Sequence, residues 1–151
     1  MTNEELINKI SSILPESTFD ESGEFLEVNI PSSDLLTLLN ELRINKSLDF
    51  DYLFCLTCVD WKEYLVMVYH LLSKELKHTI VIKATILDSM NPEIETICNI
   101  WRTAEFHERE VYDLFGVKFI NHPDLRRLFL EESWIGYPLR KNYTDENMIE
   151  L

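Results

Sequence analysis

The chain has 151 residues, 46% of them hydrophobic and 27% charged, with a net charge of −13. That length suffices for one domain with its own core, and the acidity disfavours nucleic acid or anionic lipid as the main partner, because both reward a basic patch. Three cysteines, an odd number with no secretory pattern ahead of them, do not make a disulfide framework and fit a reducing, cytoplasmic setting. No apolar run approaches the ~20 residues that span a bilayer. The opening "MTNEELINKI" matches neither a signal nor a transit peptide, so any membrane association is expected to be indirect.

In chain order, residues 3–14 predict an amphipathic helix with Leu6, Ile10, Ile13 and Leu14 on one face, stopped by Pro15. A loop is expected to Gly23. "FLEVNI" alternates as a half-buried strand, and "PSSDLLTLLNELRI" predicts a second helix capped by Ser32 or Ser33, with Leu35, Leu38, Leu39 and Leu42 as its stripe. Three runs rich in β-branched and aromatic residues, "FDYLFCLTCVDW", "YLVMVYHLLS" and "HTIVIKATIL", predict an antiparallel meander. The near-continuous apolarity of the first two calls for cover on both faces, more than two helices supply. "NPEIETICNIWRTAEFHEREVYDLFG" carries the longest helical signal, read as one helix or two, from a cap at Asn91 and Pro92 to Gly116 just past its end. "VKFI" is a short strand, and everything from Asn121 onward is turn-rich. The expected architecture is a single α/β (α+β) domain on a mixed sheet: an ordered part over 1–120 and a turn-rich tail over 121–151 that belongs to the same domain.

Charge is uneven. Residues 1–60 hold 3 basic and 12 acidic residues, 61–105 hold 5 and 6, and 106–151 hold 6 and 9. The adjacent basic pairs, Arg126-Arg127 and Arg140-Lys141, both lie in the tail, where a local basic surface suits an acidic patch on a partner.

The chemical motifs are incomplete. Cys55 and Cys58 form a C-x-x-C inside a strand pattern, where residues three apart point to opposite faces, and Cys98 stands alone, so an iron-sulfur or zinc site lacks ligands. "HEREV" has Val111 where a metalloprotease helix needs its second histidine after His107. His70 and His78 lie in strands without ligand spacing. Three scattered glycines make neither a phosphate loop nor a dinucleotide fingerprint.

What remains is the segment "EREVYDLFGVKFINHPDLRR". Glu108 shares a stripe with Trp101, Ala104, Tyr112 and Phe115, which places a carboxylate on an apolar seam, with Arg126, Arg127 or Arg140 as candidate cations for it. Glu105, Arg109 and Asp113, four residues apart, read as an exposed ion-pair ladder. Glu108 and His122 are the one conceivable acid–base pair, but no nucleophile, phosphate loop or metal set accompanies them, and arginines beside Leu125, Leu128 and Phe129 have the composition of an interface.

The pattern "ERE-x-YD-LFG-V-x-F-xx-HPDLRR-L", followed by "W-I-G-Y-PLRK-N-Y", resembles the signature of the C-type subunit of the proton-pumping NADH:quinone oxidoreductase, respiratory complex I, continuously from about Ile100 to Tyr143. Its matching positions are Glu108, Arg109, Glu110, Asp113, Gly116, His122, Pro123, Asp124, Arg126 and Arg127. They continue through Trp134, Gly136, Pro138, Leu139, Arg140 and Lys141. Tyr137 and Asn142 depart from it, standing where histidine and aspartate are common. Ending eight residues after Tyr143, the chain is expected to be the separate subunit and not a C–D fusion.

The resemblance implies a non-catalytic subunit of the hydrophilic arm of a bacterial NADH dehydrogenase. No catalytic, cofactor or metal residues are assigned to it, flavin and iron-sulfur clusters belonging to partner subunits. It would pack on the D-type quinone-site subunit and its cluster-bearing neighbours, peripheral at the cytoplasmic face of the inner membrane, and support electron transport from NADH to quinone with proton transport. The equivalent subunit of a ferredoxin:plastoquinone oxidoreductase or a membrane-bound hydrogenase is the alternative, and a small acid–base enzyme using Glu108 and His122 the more distant one. The segment from Glu108 to Arg127 is expected to clamp helix to tail and present the tail for docking.

Overall fold

The computed structural model describes residues 1–149. Helix α1 spans Asn3–Ile13, opened by a capping box between Thr2 and Glu5, which satisfies two backbone donors that a helix start leaves free. Strands β1 (Thr18–Asp20) and β2 (Leu26–Pro31) follow, then a single 3-10 turn over Ser32–Asp34 and helix α2 (Leu35–Ile44). The meander is β3 (Tyr52–Asp60), β4 (Leu65–Ser73) and β5 (His78–Ile86); after it come β6 (Glu93–Glu95), α3 (Ala104–Phe115) and β7 (Lys118–Ile120).

Five strands form one mixed sheet in the order β1-β2-β5-β4-β3. All its neighbours are antiparallel except β2 and β5, which run parallel with Leu26 opposite Ile80. The predicted meander is therefore present, as is the mixed α/β class.

Local departures have physical reasons. The loop before Gly23 contains β1, an edge strand of three residues too short to show a period. Neither Ser32 nor Ser33 caps α2; both lie in the 3-10 turn, and Asp34 holds the cap position without a side-chain bond. The largest correction concerns residues 91–116, where the helix is α3 alone. Asn91 and Pro92 do not cap it. Instead Glu93–Glu95 pairs in parallel with β7, with Ile94 buried opposite Phe119, and α3 is the crossover that parallel neighbours require. Gly116 does end the helix, in the left-handed conformation at φ 75°.

The sheet's two faces differ. Leu26, Val28, Leu65, Met67, Tyr69, Ile80 and Ile82 point into a core shared with Leu6 and Ile10 of α1 and Leu35, Leu38, Leu39 and Leu42 of α2. On the other side Phe54 bulges out beside His70, and Tyr52, Val59, Trp61 and Tyr64 are exposed around β3 and its hairpin. Among the described residues the helices thus cover one face, and the other is left open around β3 and its hairpin. Among the described residues no helix is long and apolar enough to cross a membrane. Ile82→Ala on the covered face is expected to cost about 2–5 kcal/mol, whereas Val59→Thr on the open face stays within about 0.5 kcal/mol; denaturant midpoints of the two variants check the contrast.

Candidate functional site

Residues 121–149 contain neither helix nor strand, so their backbone must find partners elsewhere. Helix α3 provides them. Asp113, fully buried, accepts from the backbone N–H of Leu128 (3.1 Å), Phe129 (2.6 Å) and Leu130 (3.0 Å) through Oδ2, and from the Arg127 guanidinium at 3.0 Å through Oδ1. One turn earlier Arg109, also buried, donates to the carbonyls of Arg126 and Arg127. The expected ladder of Glu105, Arg109 and Asp113 is therefore not an exposed ion-pair row: its last two members turn to the tail and are covered by it. Burial raises the Asp113 pKa, but the N–H groups of Leu130 and Phe129, with Arg127, more than reverse this and hold it below the usual carboxylate range.

Arg127 is the reciprocal clamp. Besides Asp113 it donates to the carbonyls of Trp134 and Gly136 and lies 5.1 Å over the Tyr137 ring, which shapes the next turn around it. That ring sits where a side chain on Gly116 would be: a Cβ there would lie 2.6 Å from it. Tyr137 thus fills the space that the missing Cβ of Gly116 leaves.

A second clamp lies at the sheet's end. Asp60, the buried last residue of β3, accepts from Arg140 Nε (3.1 Å) and from the backbone N–H of Lys141 (2.9 Å). Arg140 also donates to the carbonyls of Phe115 and Ser89. Burial raises the Asp60 pKa, but backbone donors from Lys141 and Lys62, then Arg140, bring it below the ordinary value. Asp60 escaped the reading of the sequence because a lone acid at the end of a strand carries no signal.

Glu108 does not find an arginine. Arg126 pairs with Asp124 at the surface, Arg127 with Asp113, and Arg140 with Asp60. The fully buried carboxylate instead accepts from Thr96 Oγ1 (2.5 Å), Ile97 N–H (2.8 Å) and the Cys98 thiol (3.3 Å), stitching the turn after β6 to α3. Desolvation raises its pKa, and these donors offset only part of the rise.

His122 Nε2 lies 3.7 Å from Glu108 Oε2 and 3.1 Å from the Glu105 carbonyl. Its Nδ1 accepts the Asp124 N–H at 3.0 Å, which puts the ring proton on Nε2, directed to the Glu105 carbonyl. With side chains 1% and 0% exposed, His122 and Glu108 offer no cleft to a substrate.

Cys98, Glu108 and His122 do bring a thiol, a carboxylate and an imidazole within 4.8 Å of one another, the set among the described residues that could hold a metal. In this structure they are engaged in hydrogen bonds, Glu108 accepting from the Cys98 thiol and His122 directing Nε2–H to the Glu105 carbonyl, and burial pushes the Cys98 thiol up to about 12. The other cysteines are free, Cys58 buried and Cys55 half-exposed, paired across the strand with Met67 and His70 on opposite faces.

Of the remaining signature positions, Glu110, Pro123, Asp124, Arg126, Trp134, Leu139 and Lys141 are exposed, and Pro138 is half-buried. Leu139 donates its N–H to the Leu114 carbonyl while leaving its side chain in solvent. The structure therefore sorts the signature into residues that hold the tail (Arg109, Asp113, Arg127, Arg140), an enclosed pair (Glu108, His122) and positions whose side chains face solvent (Glu110, Pro123, Asp124, Arg126, Trp134, Leu139, Lys141).

Residues 28–147 match the family described as respiratory-chain NADH dehydrogenase, 30 Kd subunit. The chain belongs to this family. Among its relatives, the C-type subunit of the NADH-quinone oxidoreductase of Moorella thermoacetica is 36% identical over 139 residues, covering 91% of this chain and 92% of that one. The fused C/D subunit of the NADH-quinone oxidoreductase of Phocaeicola vulgatus is 45% identical over 82% of this chain, which spans only 24% of that longer protein. Among solved structures, the membrane-bound sulfane sulfur reductase, an archaeal respiratory membrane complex, contains a chain 30% identical with a TM-score of 0.71, covering 93% of this chain and 85% of that one.

In this member of the family the tail rests on α3 through Asp113. Asp113→Ala is expected to weaken that docking by about 3–5 kcal/mol, because it strands buried donors; faster proteolysis between Asn121 and Tyr143, with the far-UV circular dichroism of the core retained, would show it. Acid should act the same way. A carboxylate depressed in the folded state contributes stability above its unfolded pKa and loses it as pH falls through the folded value. Pepsin should therefore begin to cut the wild-type tail only once pH has fallen below the ordinary aspartate value of about 3.9, and later in the descent than for Asp113→Asn. Glu108, shifted the other way, costs stability as pH rises and returns it as pH falls to its unfolded value of about 4.3, so its protonation opposes the acid release until that point and adds nothing further below it.

Proposed function

We propose that the chain is a non-catalytic, cofactor-free subunit of the hydrophilic arm of a bacterial NADH:quinone oxidoreductase. Its work is to support assembly and the electron path from NADH to quinone that drives proton translocation, with flavin and iron-sulfur clusters held by partner subunits. The observation that carries this reading is that a tail fixed by Asp113 and Asp60 holds Phe129 (66% exposed), Trp134, Ile135 and Leu139 in solvent. Large apolar side chains held outward on a pinned backbone are what an interface presents before its partner arrives. The open aromatic face of the sheet adds a second uncovered surface.

The neighbours are the D-type quinone-site subunit and cluster-bearing subunits, and the location is peripheral, at the cytoplasmic face of the inner membrane. A relative in which the C-type and D-type subunits are one protein supports the latter as the neighbour. The likeness to a chain of an archaeal sulfur-reducing respiratory complex favours one second reading, the same structural role in a related complex with another electron donor, such as a ferredoxin:plastoquinone oxidoreductase or a membrane-bound hydrogenase. The acid–base enzyme built on Glu108 and His122 loses its support, since both groups are sealed and already hydrogen-bonded.

The test is an affinity pull-down of the tagged chain from its native membranes in mild detergent, with absorbance and partner mass read on the eluate. Brown, cluster-bearing partners with a large quinone-site subunit are expected, and a co-purifying flavin- and NADH-binding module selects the NADH enzyme over its relatives. Arg127→Ala should lower recovery of these partners more than it lowers the melting temperature of the isolated chain. A chain that elutes alone would overturn the proposal.

A further inference from the structure

Two adjoining pockets lie where the tail crosses the end of the sheet, and they share Ser89, Met90, Arg140 and Asn142. The larger, about 360 Å³, has apolar walls from Met90, Pro92, Ile135, Tyr137 and Tyr143. Its volume suits one large apolar side chain and its flank. The floor is fixed: Gly116 is left-handed against the Tyr137 ring, and Arg140 is held by Asp60, Phe115 and Ser89. Its rim is in water, Ile135 being 90% and Met90 80% exposed.

The smaller pocket, about 260 Å³, is lined by Lys62, Arg140 and Lys141 with a single carboxylate, Asp60. Asp60 is already engaged by Arg140 and by the N–H groups of Lys141 and Lys62. Among the described residues neither Lys62 nor Lys141 has a carboxylate partner, and Lys141 is stationed 5.5 Å over the Trp61 ring. On a chain of net charge −13, an apolar hole is thus bordered by two uncompensated ammonium groups.

From this juxtaposition we infer that the Met90–Ile135 pocket is the receptor for a segment of a partner protein that inserts one large apolar side chain and sets one or two carboxylates against Lys62 and Lys141. The inference rests on the subunit reading above and specifies the chemistry of one of its contacts. A long polyanion does not fit, because the rest of the chain repels it; a short acidic stretch on a folded partner meets only the local cations.

The test places p-benzoylphenylalanine at position 135 of the tagged full chain in its native membranes, irradiates, and sequences the cross-linked peptide, alongside a Lys62→Glu/Lys141→Glu variant. A peptide from another protein is expected, with an apolar residue flanked by Asp or Glu. The charge-reversed variant should recover about 10-fold less of that partner while its tail stays as resistant to protease as wild type. Recovery should return when the partner's flanking carboxylates are changed to lysine. A cross-link to a second copy of this chain, a peptide without carboxylates, no cross-link, or undiminished recovery by the charge-reversed variant would each overturn the inference. If wild type still brings down cluster-bearing partners in those cases, only the pocket's assignment falls; if it brings down none, the subunit reading fails with it.

Discussion

The rest of the molecule's exposed architecture depends on one buried carboxylate. Asp113 sits in the dry side of α3, where an ion without donors would cost several kcal/mol, and the tail supplies three backbone N–H groups and a guanidinium. The need is mutual. A segment without helix or strand has N–H and C=O groups to satisfy, and α3 offers both complements one turn apart: Arg109 donates to the carbonyls of Arg126 and Arg127, and Asp113 accepts the amides of Leu128 to Leu130. A helical spacing of four residues thus serves as a two-character template for an irregular backbone.

The second pin joins the tail to a different element. Asp60 ends β3, and Arg140 reaches from it to the end of α3 and the turn after β5, so one side chain ties three parts of the fold. Between the pins, Tyr137 closes against Gly116 and under Arg127. This stiffness suits the proposed docking role, since apolar side chains on a pre-ordered backbone lose less entropy on docking than the same side chains on a loose one.

The sequence was informative where a period governs. Alternation located the three strands of the meander, the stripe of Leu35, Leu38, Leu39 and Leu42 located α2, and Gly116 marked the end of α3. It misleads where three residues must speak for themselves: β1 and β6 are too short for a pattern, and β6 lies just ahead of a helical run whose signal masks it. For the site, the residues were legible and their pairing was not. Glu105, Arg109 and Asp113 have the spacing of a local ion-pair row, yet partners about 15 residues downstream bind the last two better. Glu108 had three arginines nearby in sequence, and each was taken by another carboxylate, leaving it to neutral donors. Asp60, some 80 residues from Arg140, could not be found at all without the fold.

The placement of the two pins also sets an order of assembly within the chain. Asp60 is positioned by β3 within its sheet and Asp113 by α3 packed against β3, so the pins that hold residues 121–149 belong to elements far away in sequence. Contacts of such sequence separation form late, after local structure has brought their ends together. A chain in which β3 or α3 is out of place therefore cannot hold the tail's apolar side chains in their outward arrangement.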